Sequence, residues 1–256
     1  DISPFGLGSF ATRGTLMGGN GVLAAAKDAF RQLAEIAADL FEARLEDIEC
    51  RRGEFFVSGS PEKSISFQKV AAEATFARHG APVVGTGFYK PPTVLPDPET
   101  KYGNISPAYP FACQIAEVQV DPDTGYVTVI DFVAAHDVGR AINPMATEGQ
   151  IRGGVTQGLG WTLMENMAYE DGRLINPDFV DYIVPSALDV PEIKPILVEP
   201  IEPNGPYGAK GIGEPALNPT MAAITNAIYD ATGIRIKALP VSPEKILAEL
   251  KKKGGR

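Results

Sequence analysis

The sequence predicts an α+β fold, because helical and strand-like segments mix along the chain without a regular strand–helix–strand repeat. Apolar residues near the start recur at three- and four-residue spacing, which is typical of a helix. Two later stretches rich in β-branched residues flank a turn at 121–125, which is typical of a hairpin. We expect two mixed α/β subdomains, residues 1–90 and residues 111–256, joined by a proline-rich connection at 91–110.

The first subdomain is expected to begin with a helix from Thr15 to about Leu45. A hairpin at 47–57 turns around Gly53, and Ser66 caps a second helix that runs to about His79. An apolar stripe along the first helix is expected to lie mostly in the core: Val22, Ala26, Phe30, Leu33, Ala37 and Leu40.

Six prolines exclude regular structure from most of the stretch 90–110, which is either a plain linker or a functional loop. The second subdomain is then expected to contain a hairpin with strands at 111–120 and 126–135. A third helix begins at Pro144 and runs to about Glu165. The remaining predicted elements are a strand at 193–201, a helix at 219–232 closed by Gly233, and a helix at 243–252 after a Ser242 cap.

The composition excludes several functions. A net charge of −9 argues against a nucleic-acid partner, since the only basic cluster is the solvated stretch 251–253. No apolar run approaches a membrane span, and residues 1–5 do not resemble an export signal. Two cysteines, Cys50 and Cys113, form neither a disulfide framework nor an iron–sulfur signature, and together with the missing signal they predict a cytoplasmic location. Only two histidines are present, so we expect any metal to be carried by something other than side chains.

Three glycine-rich segments are candidates for chemistry: residues 6–15, 153–160 and 208–215. The first offers free N–H groups, hydroxyls and a guanidinium at the start of a helix, which suits a phosphate without matching a known phosphate motif. The glycines of the second require close backbone approach, either to another element or to a ligand. The third carries Glu214, which is either a charged helix cap or a general base.

Four segments taken together resemble the C-terminal half of the molybdopterin-binding subunit of the xanthine oxidase family: GSFATRGT, DVGRAINP, QIRGGVTQGLG and GAKGIGEPALNPTMAAITNAIYDATG. That family includes xanthine dehydrogenases, aldehyde oxidoreductases, carbon monoxide dehydrogenases, nicotinate dehydrogenases and hydroxybenzoyl-CoA reductases. The resemblance implies two mixed α/β subdomains of the molybdenum-cofactor-binding type. The segment DVGRAINP is part of this match, and we expect it to be scaffold, with His136 packed in the core rather than binding a metal.

The resemblance implies that Glu214 is the catalytic base, which deprotonates a Mo–OH group so that its oxygen attacks the substrate carbon while hydride passes to Mo=S. Molybdenum would be held by the pterin dithiolene, with no protein ligand. The residues that the resemblance implies as cofactor contacts lie in three places: Ser9, Phe10, Ala11, Thr12 and Arg13 in the first segment, Gln157 in the second, and Lys210, Gly211 and Gly213 in the third.

The implied cofactor is molybdopterin, as the cytosine dinucleotide, while iron–sulfur clusters and FAD belong to partner chains. Nothing in the sequence resembles the earlier half of the family subunit. We therefore expect the cofactor to lie at an interface with that half, whether the sequence is a separate subunit, a fragment or a truncated chain. An iron–sulfur subunit, an FAD subunit and a small-molecule substrate are the other implied partners. The alternative is a non-catalytic binding or interaction domain that has kept only the fold.

Overall fold

A computed structural model describes residue 6, residues 8–78, residue 80 and residues 82–254. The chain divides into two compact units, one of Met17–Pro92 and one of Asp1–Leu16 with Thr93–Arg256. Both mix helices with strands, so the predicted α+β class is confirmed. The boundary near residue 92 falls within the predicted connection. The described residues up to Leu16, however, belong to the larger unit rather than to the predicted subdomain 1–90, because Ala11 and Thr12 bond to Glu214.

The smaller unit packs helices against a three-stranded antiparallel sheet of order β1-β2-β3. A π-helical turn, Gly14–Gly18, precedes its first helix, and a 3₁₀ turn, Leu45–Asp47, precedes its first strand. Its elements are α1 (Gly19–Phe41), β1 (Ile48–Arg51), β2 (Glu54–Val57), β3 (Ser64–Ser66) and α2 (Phe67–Ala72), followed by a second π-helical turn (Glu73–Arg78).

The predicted helices and hairpin of this unit are present. Ser66 caps α2, since its hydroxyl accepts a hydrogen bond from the Lys69 N–H at 3.3 Å. The first helix ends earlier than predicted, at Phe41, where Glu42 takes a left-handed conformation. The predicted end of the second helix, at His79, lies outside the described residues. The three-residue strand β3 was not predicted, because so short a segment carries no usable alternation.

The prediction that the apolar stripe of α1 lies mostly in the core is wrong. Leu33 and Ala37 are buried, but Val22 is 70% exposed and Phe30 and Leu40 also reach solvent. The backbone of Gly85 and Gly87 instead lies against the alanine face of the helix: an added Cβ at Gly85 would meet the Ala25 carbonyl oxygen at 2.1 Å. Small residues, not the large ones of the stripe, mark the packed face here, because only they permit such close backbone approach.

The larger unit contains the sheet and helices that carry the candidate site. Its strands are β4 (Ala112–Val120), β5 (Val127–Asp137), β6 (Tyr169–Glu170), β7 (Arg173–Leu174) and β8 (Glu192–Val198). Its helices are α3 (Pro144–Leu163), α4 (Thr220–Thr232) and α5 (Pro243–Gly254), with a 3₁₀ turn at Pro206–Gly208. None of the helices in the described part of the chain is both long and apolar enough to cross a membrane.

The main sheet has the order β4-β5-β8, in which β4 and β5 are antiparallel and β5 and β8 are parallel. Helix α3 connects the two parallel strands, so the unit contains one strand–helix–strand crossover and not a repeated series of them. Side chains of the sheet and of α3 and α4 form one core, including Phe132, Ile151, Leu159, Ile224 and Ile228.

The predicted elements of the larger unit agree with the structure to within a few residues. The hairpin, α3, α4 and α5 are present, and Gly233 closes α4 with a φ of 69°. Between residues 93 and 111 no helix or extended strand forms, as the prolines predict, and a single bridge joins Val94 to Asn104. The small hairpin β6–β7 was not predicted, because each strand has only two residues.

Candidate active site

Glu214 contacts the first glycine-rich segment, about 200 residues away in sequence. Its Oε1 accepts a hydrogen bond from the Ala11 N–H at 3.2 Å, and its Oε2 accepts one from the Thr12 hydroxyl at 3.4 Å. The Glu214 N–H in turn donates to the Thr12 hydroxyl oxygen at 3.3 Å. Helix α4 begins only at Thr220, with Pro219 as its N-cap. Glu214 is therefore not the cap of α4, and its carboxylate is exposed at the surface of the unit.

The loop that holds this carboxylate has an unfavourable backbone conformation. Ala11 and Thr12 both have positive φ angles, 48° and 56°. The left-handed region costs a residue with a Cβ about 1–2 kcal/mol, and a branched side chain such as threonine is rare there. Such conformations persist where the surroundings impose them, and they concentrate at functional sites.

Gly211 sets the distance between the two segments. A Cβ at this position would lie 2.2 Å from the Thr12 carbonyl oxygen and 2.3 Å from its methyl carbon. Only glycine permits so close an approach of two backbones. Gly213 is different, since the nearest atom to a Cβ there is Gln150 Oε1 at 3.9 Å. The steric requirement in this loop therefore falls on Gly211 and not on Gly213.

Lys210 anchors the loop that carries Glu214 through buried contacts. Its ammonium donates to the Asp137 carboxylate at 2.6 Å and to the Tyr109 carbonyl at 3.1 Å, and both charged side chains are only 9% exposed. The backbone supports the same position, because the Lys210 N–H donates to the Val138 carbonyl at 2.9 Å and Gly139 pairs with Ala209. The Lys210 side chain thus ties the loop to the end of β5. A contact between Lys210 and a cofactor stays a prediction.

A second polar group supports the residues that follow Glu214. The Gln114 amide nitrogen donates to the Ala216 carbonyl at 2.8 Å and lies 2.9 Å from His136 Nε2. The Gln114 amide oxygen accepts a hydrogen bond from the Thr220 hydroxyl at 2.7 Å. His136 is fully buried, and burial lowers the pKa of its imidazole. Because Gln114 donates to Nε2, the neutral ring carries its proton on Nδ1, which has no hydrogen-bond partner. His136 is packed in the core, as expected.

The other predicted residues of the first segment lie beside this contact. Arg13 donates from Nη1 to the Gly8 carbonyl at 2.9 Å, and its guanidinium carbon lies 5.3 Å from the centroid of the Phe10 ring. Ser9 and the Phe10 ring are exposed, the ring by 52%. The structure therefore gathers Ser9 to Arg13 and Glu214 at one exposed place, although these residues are far apart in sequence.

Packing explains two of the glycines of α3. A Cβ at Gly154 would lie 2.5 Å from the Ala216 Cβ, and one at Gly158 would lie 2.6 Å from the Thr220 Cβ. The resemblance implied that this helix contacts the cofactor, at Gln157. At Gly154 and Gly158, however, the glycine is required by packing against Ala216 and Thr220. Gln157 lies on an exposed part of the helix, so a contact to a cofactor stays a prediction for that residue.

Sequence reasoning missed the supporting residues of the site. Gln114, Asp137 and Thr220 belong to three different elements. Thr220 lies in the same motif as Glu214, but no local motif joins Gln114 or Asp137 to Glu214. The one available signal was the run of motifs itself, because Asp137 begins the segment DVGRAINP. Among the described residues, no group of three or more His, Cys, Asp or Glu side chains is arranged to hold a metal ion.

Comparison with known proteins identifies the family. The family model described as a molybdopterin cofactor-binding domain matches residues 1–191 of the chain. The chain belongs to this family. The match includes the loop at Ala11 and Thr12 but ends before Glu214, so the likeness of the third glycine-rich segment is carried by individual relatives.

Several relatives are named as molybdenum-binding subunits of xanthine dehydrogenases or aldehyde oxidoreductases, which confirms the resemblance to the xanthine oxidase family. The gamma subunit of the 6-hydroxypseudooxynicotine dehydrogenase complex of Paenarthrobacter nicotinovorans is 34% identical over 97% of this chain, and a putative xanthine dehydrogenase molybdenum-binding subunit of Escherichia coli is 30% identical over 97%. The crystal structure of quinoline 2-oxidoreductase from Pseudomonas putida 86 superimposes with a TM-score of 0.83 at 33% identity over 98% of the chain.

This molybdopterin-binding chain spans about a third of the length of these relatives. It covers 31% of the P. nicotinovorans subunit, 32% of the E. coli subunit and 32% of the quinoline 2-oxidoreductase chain. The chain therefore corresponds to one part of a larger subunit in each of these relatives.

Proposed function

We propose that the chain is the C-terminal part of a molybdenum-cofactor-dependent hydroxylase or dehydrogenase, with Glu214 as its general base. One observation carries the proposal: the Glu214 carboxylate is held against the loop of Ala11 and Thr12 by two hydrogen bonds. The family model that matches this loop is that of a cofactor-binding domain. A carboxylate placed there lies beside the cofactor that the loop would bind.

The residues present fit an anionic group held largely by backbone N–H donors. The loop is exposed, Gly8 has open space around its Cα, and Arg13 uses one guanidinium N–H on Gly8 and keeps others. Ser9 adds a hydroxyl group and Phe10 adds an exposed ring, while the Thr12 hydroxyl is engaged with Glu214. We propose that these residues hold molybdopterin in its cytosine dinucleotide form, which brings its own sulfur ligands to the metal.

In this arrangement, Glu214 accepts a proton during substrate oxidation. The bound cofactor supplies the oxygen that is transferred and accepts two electrons from the substrate. The carboxylate is fixed by donors on Ala11 and Thr12 and does not have to be ordered during the reaction, which lowers the entropic cost of the proton transfer. General-base catalysis of this kind contributes about 10²–10⁴ in rate.

Large exposed apolar side chains support the proposal that the rest of the subunit covers this chain. They concentrate in two stretches of the larger unit, residues 94–111 and residues 175–188, where Leu95, Phe179, Val180 and Leu188 are each more than 80% exposed. Large apolar side chains that lie together on a surface mark sites of protein–protein contact. We propose that the N-terminal half of the molybdenum subunit packs on these stretches and completes the site.

Electrons would then leave through an iron–sulfur subunit and an FAD subunit on other chains. Among the relatives, one is named as the gamma subunit of a dehydrogenase complex and another as the large chain of a carbon monoxide dehydrogenase. We propose a small heterocycle, aldehyde or aromatic thioester as the substrate. The cytoplasmic location expected from the sparse cysteines stays a prediction.

The substitution Glu214→Gln in the complete complex tests the proposal. Glutamine retains the size, one oxygen that can accept the Ala11 N–H, and an amide N–H that can donate to the Thr12 hydroxyl oxygen, but it is a very poor proton acceptor. We expect turnover to fall by roughly 100-fold or more, while the molybdenum and pterin content equals that of the wild type. Full turnover in the variant would exclude Glu214 as the base. A wild-type complex that contains neither molybdenum nor pterin would instead favour a non-catalytic domain.

A further inference from the structure

The Thr12 side chain makes a reciprocal contact with the proposed base. Its hydroxyl donates to Glu214 Oε2 at 3.4 Å and accepts the Glu214 N–H at 3.3 Å. One side chain thus holds both the carboxylate and the backbone of the same residue. Its neighbour Ala11 contributes only a backbone N–H to the carboxylate, which any residue except proline could provide.

We propose that Thr12 is a positioning residue for Glu214, an inference that rests on the function proposed above for that glutamate. The Ala11 N–H fixes one carboxylate oxygen, and the Thr12 hydroxyl fixes the other. Two donors on two oxygens hold the plane of the carboxylate, whereas a single donor leaves it free to rotate about its remaining hydrogen bond. Thr12 therefore determines the direction in which Glu214 presents its basic oxygen.

The local structure indicates that the hydroxyl is the reason for threonine here. Thr12 lies in the left-handed region with a φ of 56°, which is costly for a β-branched residue. Asparagine or glycine would take up this conformation with less strain. The threonine methyl, moreover, lies where a Cβ on Gly211 would approach it to 2.3 Å, so the methyl makes the loop more crowded. The hydroxyl is the only part of the side chain with a partner that offsets these costs.

Two matched substitutions separate the hydroxyl from the shape of the side chain. Thr12→Val keeps the branched shape, the backbone cost and the methyl beside Gly211, but it removes the donor and the acceptor. Thr12→Ser keeps the hydroxyl and removes the methyl. If Thr12 positions the base, the valine variant is impaired and serine rescues it. If Thr12 serves only the shape of the loop, the order is reversed.

The experiment measures steady-state kinetics of the complete complex with Thr12→Val, Thr12→Ser and Glu214→Gln, each at equal molybdenum content. We expect Thr12→Val to lower kcat roughly tenfold with little change in KM, because a small misplacement of a catalytic group acts on the reaction step. Thr12→Ser should restore most of the lost turnover. A valine variant with wild-type kcat, or a serine variant as impaired as the valine variant, would overturn the inference.

Amide hydrogen exchange gives a readout that does not depend on turnover. The Glu214 N–H donates to the Thr12 hydroxyl, so we expect it to exchange faster in Thr12→Val than in the wild type or in Thr12→Ser. Equal exchange in all three proteins would also contradict the inference. Full turnover in Glu214→Gln is a distinct result, because it removes the proposed function itself, whatever the Thr12 variants show.

Discussion

The substitution Gly211→Ala should disturb the site through a single steric contact. The new methyl would begin 2.2 Å from the Thr12 carbonyl oxygen, and an ordinary contact requires about 3.4 Å. The two segments must therefore separate by about 1.2 Å, the difference between these distances. The hydrogen bonds between Thr12 and Glu214 are already 3.3–3.4 Å long, so a displacement of this size breaks them.

The expected change in the free energy of unfolding has two parts, overpacking in the folded protein and restriction of the unfolded chain. Overpacking costs about 1–3 kcal/mol, and a Gly→Ala change recovers about 0.4–1 kcal/mol by restricting the unfolded chain. Gly213→Ala is the matched control, since its Cβ would have no atom closer than 3.9 Å and gains only the second effect. We expect the two variants to differ by about 2 kcal/mol, which corresponds to a difference in Tm of roughly 4–8 °C for a chain of this size.

Thermal unfolding followed by circular dichroism measures this difference. Gly211→Ala should unfold at the lower temperature, and in the assembled complex it should also lose turnover. If Gly211→Ala unfolds at the same temperature as Gly213→Ala, the close approach of the two loops is not a real constraint, and the reasoning about Thr12 fails with it.

Two further predictions concern buried groups of the larger unit, His136 and the Lys210–Asp137 ion pair. Burial lowers the pKa of His136 below the ordinary value of 6.5, so the unfolded chain binds a proton that the folded chain does not, and stability must fall as the pH drops below about 6.5. Urea titrations measure the free energy of unfolding at pH 7.0 and 5.5. Its decrease between these pH values should be larger by about 1 kcal/mol in the wild type than in His136→Gln, and equal decreases would contradict this. Lys210→Met should lower the free energy of unfolding by about 3–5 kcal/mol, because it leaves the Asp137 charge buried without its partner. Adding Asp137→Asn should recover part of that loss, and no recovery would exclude the ion pair as its cause.

The sequence predicted the regular elements of the fold well, for local reasons. The Ser66 cap, the Gly233 closure and the turn at 121–125 are each determined by neighbouring residues, so their positions can be derived from short patterns. The parallel pairing of β5 with β8 could not be derived in this way, because it depends on how α3 packs across the sheet. The exposed residues of the stripe on α1 were wrongly predicted to lie in the core. The glycines that pack on another face of this helix lie some 60 residues away in sequence, so no local pattern indicates them.

The sequence indicated candidate residues for the site but not the hydrogen bonds that connect them. The order of the motifs indicated Glu214 and the segment from Ser9 to Arg13, and the structure brings them into contact. Local pattern alone left Glu214 as either a helix cap or a general base, and the start of α4 six residues later excludes the cap. The burial of the Lys210–Asp137 pair and the hydrogen bonds of Gln114 to Ala216 and Thr220 had no local signature, because each joins residues more than 70 positions apart.

The most direct test of the role of Glu214 is a single-turnover measurement. The complete complex, loaded to equal molybdenum content in the wild-type and Glu214→Gln forms, is mixed with substrate without an electron acceptor, and the rate of substrate oxidation is recorded. If Glu214 is the base, the variant should bind substrate normally and oxidise it roughly 100-fold more slowly or worse. Equal single-turnover rates in the two proteins would contradict the role of Glu214 proposed for this chain.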